Sequence, residues 1–376
     1  MIKILSGGFQ GRQRNSKLNE TPKTNGNKLK LIALAVFLGF ATHATASQLE
    51  TVLESPYQAN GIAVAQDGRI FLGLPRWVQQ DSFSVGVVKE GKILPYPGNS
   101  WNKWSSNDNT EDHFVNINAI RIEPDKPNSL WVVDCALGQG GAKLVEVNIN
   151  SGNIAHVYHF DSHIVPVHDG CLNDVRVLGR NAFLTESGTG AIIVLNIDSG
   201  KARRLLSASQ KTKAVAGRNA VIDQVAEKTP QGKIPVVNAD GIDISPDKQW
   251  LYFCVALGGD LWRVRIDDLL NTHLTESELD KRVENQGPIV PVGGVLMLSD
   301  GNMLLSDAEK HTIVLRHPDG TLSNVVSSPL LDWPDAMAIG PDGKVYTNAA
   351  QANRIPQNNG GKDATRAPFR VLRFNL

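Results

Sequence analysis

The chain has no apolar stretch of the ~20 residues that a membrane-spanning helix needs. Its N-terminal apolar run, residues 31–40, stops at ten, which falls short of a spanning anchor, the alternative reading of that segment. Cysteine is scarce, three in 376 residues, and no Cys/His spacing of the zinc-binding kind occurs. A P-loop, a dinucleotide-binding glycine fingerprint and a nucleophile elbow are also missing. The glycine-rich residues 138–141 (GQGG) lie between two strand-like runs rather than at a helix start, and read as a loop. Excess charge is absent too, with 38 basic against 38 acidic residues. Residues 1–46 hold seven Lys/Arg and one acidic residue, so the remainder carries 31 against 37, about −6. That balance argues against a nucleic-acid partner.

What is present at the N-terminus is a basic stretch ending Lys28-Leu29-Lys30, the ten-residue apolar run and the small residues Ala44-Thr45-Ala46. This is the pattern of a secretory signal cleaved before Ser47. The expectation is a protein exported to the periplasm or outside the cell, with no membrane span after cleavage and residues 47–376 forming one domain.

That domain is organised around a repeat. Residues 240–264 (DGIDISPDKQWLYFCVALGGDLWRV) open on a small or polar pair, followed by an alternating apolar run, a tight turn at Ser245-Pro246-Asp247-Lys248 and a second apolar run. Period-two alternation broken by Pro and Asp reads as an antiparallel hairpin. The same template fits residues 60–74, 118–134, 173–186, 293–307 and 335–348, giving six copies whose starts lie 58, 55, 67, 53 and 42 residues apart. Such spacing suits four short strands per repeat and is too long for a leucine-rich repeat. The fold predicted is all-β, a six-bladed β-propeller in which the first strand of each blade lines a central channel. Residues 48–54 alternate like a strand, and so do residues 370–376. The N-terminal strand is predicted to close the ring by pairing with the C-terminal one as the outer strand of blade six. Two insertions interrupt the repeats. Residues 207–237 are polar, with helical periodicity around 221–227; residues 267–286 read as one or two short helices capped by Thr275. The Gly/Asn-rich residues 353–368 are expected to form a mobile loop.

If every first strand starts at the same face, Asn60, Asn118, Asn173, Asp240, Gly293 and Asp335 form a ring at the channel mouth. The ends of the second strands return to that face, adding Leu74, Asp134, Glu186, Val255, Asp307 and Asn348. Asn, Asp and Gly also favour turns and strand starts, so single positions say little. Together they offer converging oxygens of the kind that Ca²⁺ or another hard divalent cation requires, with Asn173 and Asp240 as the first candidate ligands. His163, His168 and Asp169 precede Asn173 in a channel-face loop and are candidates for ligand contact or acid–base work; His156 and His159 fall on or near an outer strand and read as surface residues. Cys135 follows the second strand of blade two and Cys171 precedes the first strand of blade three, on one face. That placement predicts a disulfide, whereas Cys254, inside a strand, reads as a small buried apolar residue.

Several segments resemble the major royal jelly protein/Yellow family in order along the chain: FLGLPRW (71–77), SLWVVD (129–134) with KLVEVNINSG, LNDVRV with AFLTESGTGAIIVLNIDSGKARRLL, DGIDISPD with LYFCVALGGDLWRVRIDDLLN, and LDWPD (331–335) with Asn353-Arg354. The resemblance spans roughly residues 48–376. It implies a secreted six-bladed propeller with a ligand pocket at the channel mouth, in a family that includes pigmentation, nutritive and amine-binding proteins. A more distant similarity to gluconolactonase/regucalcin propellers implies a divalent metal held by an early acid and by Asn and Asp residues opening later blades. Asn173 and Asp240 match that style, while Gly293 and Asn60 depart from it.

These observations lead to a small-molecule binder that holds an aromatic or cationic ligand between loops 74–84, 161–172 and 255–260. The rival is a metal-assisted hydrolase, lactonase or isomerase, in which Asn173, Asp240 and one of Asp134, Glu186 or Asp307 hold the cation. A structural or protein-interaction role is the third reading.

Overall fold

The computed structural model describes residues 48–79, 82–136 and 140–376, so the signal sequence read in residues 1–46 lies outside the described residues. Six four-stranded antiparallel sheets and one two-stranded hairpin are present among them. Blade one runs Gly61–Val64, Ile70–Gly73, Val85–Lys89 and Lys92–Pro95; blade two, Ile117–Arg121, Ser129–Asp134, Lys143–Asn148 and Ile154–His159. Blade three is Leu172–Leu178, Asn181–Glu186, Ala191–Asn196 and Lys201–Leu205; blade four, Ala239–Ile244, Trp250–Val255, Gly259–Arg265 and Glu284–Ile289. Blade five contains Val292–Met297, Met303–Asp307, Thr312–Arg316 and Leu322–Ser327. Each blade meanders from channel to rim because short loops let consecutive strands pair as hairpins. Between blades, apolar side chains interleave: Phe71 and Val85 of blade one pack with Leu130, Val132 and Val145 of blade two, all fully buried.

Blade six closes the ring. Its strands Pro334–Ile339, Val345–Ala349 and Phe369–Phe374 are completed by Glu50–Ser55, paired antiparallel from Glu50 opposite Arg373 to Ser55 opposite Phe369. Leu53 is buried, and Glu50 receives Lys344 Nζ and Arg373 Nε at 2.7 Å each. Removing residues 48–54 exposes the edge of Phe369–Phe374. The expected outcome is concentration-dependent aggregation with a lowered melting temperature; a truncated protein that stays monomeric and melts unchanged contradicts closure by this strand.

Three segments differ from the sequence expectation. Around residues 221–227 there is no helix but a hairpin, Val221–Ile222 with Val225–Ala226; its turn residues Asp223 and Gln224 both have positive φ (50° and 66°), the conformation a two-residue hairpin turn requires. The second insertion does hold two short helices, α1 (Ile266–Leu270) and α2 (Glu276–Lys281), the latter with a Thr275/Glu278 capping box. Its end, however, becomes the fourth strand of blade four. Residues 353–368 are not a free loop. Lys228 N–H donates to Asn358 O, Gly360 N–H to Lys228 O and Asn358 Nδ2 to Ala352 O, so this segment and the first insertion clasp each other over one face.

Candidate small-molecule site at the channel mouth

In five blades the first strand breaks register at its entry, and the residues skipped are Asn118, Asn173-Asp174, Asp240-Gly241, Gly293-Gly294 and Asp335-Ala336. A bulge frees backbone groups and re-aims side chains, here toward the axis. Hydroxyls of the adjacent second strand repair the ladder. Thr185 Oγ1 accepts from Asp174 N–H and donates to Asp240 O (2.6 Å), and Ser306 Oγ bonds both N–H and C=O of Gly294. Cys254 occupies the same position in blade four, its Sγ packed against Gly241. Fully buried among apolar side chains, it is the small core residue its sequence suggests. Gly241, Gly293 and Gly294 are glycine because an added Cβ would meet Cys254 Sγ at 2.8 Å, Pro334 O at 2.4 Å and Asp335 O at 2.6 Å.

All six ring positions, Asn60, Asn118, Asn173, Asp240, Gly293 and Asp335, line one cavity of about 210 Å³. Its walls are Trp77, Trp333, Val237 and Ala256, with Cys171 and Ser187 at the side, and the C-terminal segment contributes Ala352, Ile355, Gln357 and Asn358. Asn173 Nδ2 donates to Asp240 Oδ2 (2.8 Å), Trp333 Nε1 to Asp335 Oδ2 (3.1 Å), and Asn60 Nδ2 to Asn118 O (2.9 Å). Asn60 Oδ1 is buried without a hydrogen-bond partner.

The two acids of the ring are electrostatically unusual. Burial, reinforced by the charge of Asp174, raises the Asp240 carboxyl to about 8, with only the Asn173 amide opposing. Burial and the Asp240 charge push Asp335 well above the usual carboxylate range. No Lys or Arg side chain among the described residues is ion-paired to either. Deeper in the channel, Arg176 does carry partners. It bonds Asp174 at 2.8 Å and Asp243 at 2.9 Å, and Asp243 in turn accepts from Met297 N–H, tying blades three, four and five beneath the ring.

The second set of carboxylates stands elsewhere. Asp134, Glu186 and Asp307 do not line the cavity. Asp134, fully buried, accepts the N–H groups of Val115, Asn116 and Ala136 and pairs with Lys143 at 2.8 Å. Glu186 accepts from Cys171 N–H, Gly188 N–H and Thr189 and pairs with Arg204 at 2.7 Å; burial works against its charge, but these partners prevail and lower its pKa. Asp307 accepts from Lys310 N–H, and Asn348 donates to Ala59 O. At a strand end a carboxylate finds the free N–H groups of its own loop first, so these residues brace loops. His168, His163 and Asp169 are exposed and outside the cavity.

No bond joins Cys135 and Cys171 in the structure. They are nevertheless in contact, and the Cys135 thiol together with burial raises the Cys171 pKa well above its ordinary value. Oxidation by a disulfide reagent such as oxidised glutathione should join them, faster as pH rises, and stabilise the fold by ~3–4 kcal/mol. Non-reducing peptide mapping checks this; two persistently free thiols contradict it.

With this geometry established, comparisons place the chain among solved propellers. No family model matches it and no curated protein matches it. In structure it is similar to an oxidoreductase described as a glucose dehydrogenase from Thermus thermophilus (TM-score 0.53, 13% identity, 87% of this chain and 99% of that one). It is also similar to a gluconolactonase from Xanthomonas campestris (0.51, 11%, 88% and 90%) and to a streptogramin B lyase (0.50, 12%, 88% and 98%). The likeness is one of fold. The royal jelly/Yellow resemblance carried by short motifs finds no support in these comparisons.

Sequence reasoning found the ring but missed Asp174 and Arg176 inside the channel, the Trp333 wall and the C-terminal roof. The signal for Asp174 was the two-residue opening of each repeat, because a two-residue bulge turns both members of the pair out of register.

Proposed function

We propose that the channel-mouth cavity binds a small organic cation, an amine with an aromatic or aliphatic body, and that the protein does so after export. The observation that carries this reading is the Asp240/Asp335 pair, one buried and one half-buried carboxyl whose side-chain hydrogen-bond partners, Asn173 and Trp333, are neutral. A buried acid without a countercharge holds a proton or recruits a cation. An ammonium entering between the indoles of Trp77 and Trp333 gains cation–π attraction from the walls and charge-assisted hydrogen bonds from the floor.

A second reading is favoured by the unpartnered Asn60 Oδ1. With Asn173 Oδ1 and Asp240 it could offer oxygens to a divalent cation, which would polarise a carbonyl oxygen of a lactone or ester for hydrolysis. The floor favours the first reading, because its two carboxyls take neutral side-chain donors and lie beside two indole walls. Titration with phenethylamine and with calcium, each with and without chelator, separates the two. Amine binding that ignores chelator supports the organic cation; calcium binding with lactone hydrolysis supports the metal-assisted enzyme.

A further inference from the structure

Beside the mouth lies a second hollow, about 140 Å³, formed where residues 214–218 and 234–237 of the first insertion, with the following Asn238, meet Val255, Leu257 and Gly258 of blade four. Its lining is apolar: Val215, Ile234, Pro235, Val236 and Val237 contribute most of it. Three of these side chains are strongly exposed, Val215 at 48%, Ile234 at 40% and Val236 at 66%. Scattered exposed valines need no explanation, but a run converging on one concave surface marks a place where apolar matter is expected to sit.

The hollow adjoins the site already described. Val237 lines both, and Asn238 beside it is fixed by donating to Ser187 O and Gly188 O while accepting from Ala214 N–H. Charge sets the direction in which a ligand would span them. The hollow's sole ionisable lining residue is Arg218, whose Nε donates to Leu257 O (2.9 Å) and whose guanidinium lies 3.7 Å from Glu309. An ammonium is repelled there and attracted to the acid floor of the neighbouring cavity. An apolar chain is indifferent to Arg218 and gains from the valines.

We propose that this hollow is the tail subsite of the channel-mouth cavity, so that the ligand class is an amphipathic amine: its ammonium over Asp240 and Asp335, its hydrocarbon across Val237 onto Val215, Ile234 and Val236. The assignment rests on the organic-cation reading of the mouth. It explains why the first insertion, which carries no strand of any blade, presents valines to solvent next to a polar ring.

A series of n-alkylamines from butylamine to octylamine, titrated calorimetrically into the purified protein, tests it. Each methylene that leaves water for the hollow should tighten binding about fourfold. Butylamine, the shortest of the series, serves as the head-group reference. In the Val215→Ser/Val236→Ser double variant, both positions being exposed enough to leave the fold intact, the length dependence should flatten while butylamine affinity stays unchanged. A wild-type series with no dependence on length overturns the tail subsite while leaving the head site standing, and so does a slope that survives in the double variant. Failure of every amine to bind overturns both.

Discussion

Replacing Asp240 by Asn should lower the affinity for an organic amine by one to two decades, the loss of one charge-assisted hydrogen bond in a buried site. The same change should make the protein more stable in mild alkali. The unfolded carboxyl has a pKa of 3.8, whereas in the fold burial and the Asp174 charge raise it to about 8. The native state therefore holds more protons than the unfolded one between those values. Stability is full below pH 4 and declines as pH rises toward 8, by an amount of up to about 5 kcal/mol for a shift of this size. The amide that replaces the carboxyl does not titrate. It accepts from Asn173 Nδ2 through its own oxygen, and it removes the charge that helps to raise Asp335. Denaturant melts at pH 4 and pH 8.5 check the linkage: equal stabilities at low pH and a more stable variant at high pH are expected, and a variant no more stable than the wild type at pH 8.5 contradicts it.

The second large effect is expected at Lys143. Its side chain and that of Asp134 are both fully buried, 2.8 Å apart, and Lys143 Nζ also donates to Thr110 O at 2.7 Å. Lys143→Met removes the cation and leaves Asp134 charged in the interior, which should cost about 3–5 kcal/mol. The damage reaches the site. Asp134 anchors Val115 and Asn116, and Asn116 holds Arg76 N–H, next to the wall residue Trp77. Urea melts of the variant measure the loss, and a change under about 1 kcal/mol, the scale of a dispensable surface pair, would contradict it. Trp77 fluorescence in the folded variant should also shift.

The fold was legible because its unit repeats: each small or polar pair, period-two run and turn became the inner hairpin of a blade. Closure was legible for the same reason, since residues 48–54 alternate without a partner of their own. The ring at the mouth could be read from strand direction alone. Asp134, Glu186 and Asp307 were misplaced because direction does not say whether a carboxylate faces the channel or folds onto its own loop, and local N–H groups competed successfully. Residues 221–227 read as helix because a hairpin of two-residue strands with a left-handed turn at Asp223-Gln224 leaves no alternation long enough to see. The cavity walls could be read only in part: loops 74–84, 161–172 and 255–260 supply Trp77, Cys171 and Ala256, but the rest of the lining could not be foreseen. Trp333, Ile355 and Val237 come from three separated segments, joined only by tertiary contacts such as the Lys228–Asn358 hydrogen bond.

The central claim is that protonated acids at the channel mouth exchange their protons for an organic cation. Calorimetric titration of phenethylamine at pH 7, repeated in buffers of different ionisation enthalpy, measures that exchange directly. Release of about one to two protons per bound amine, with affinity rising toward pH 8, is the expected result. Binding with no net proton release, or affinity independent of pH between 6 and 9, would contradict the account.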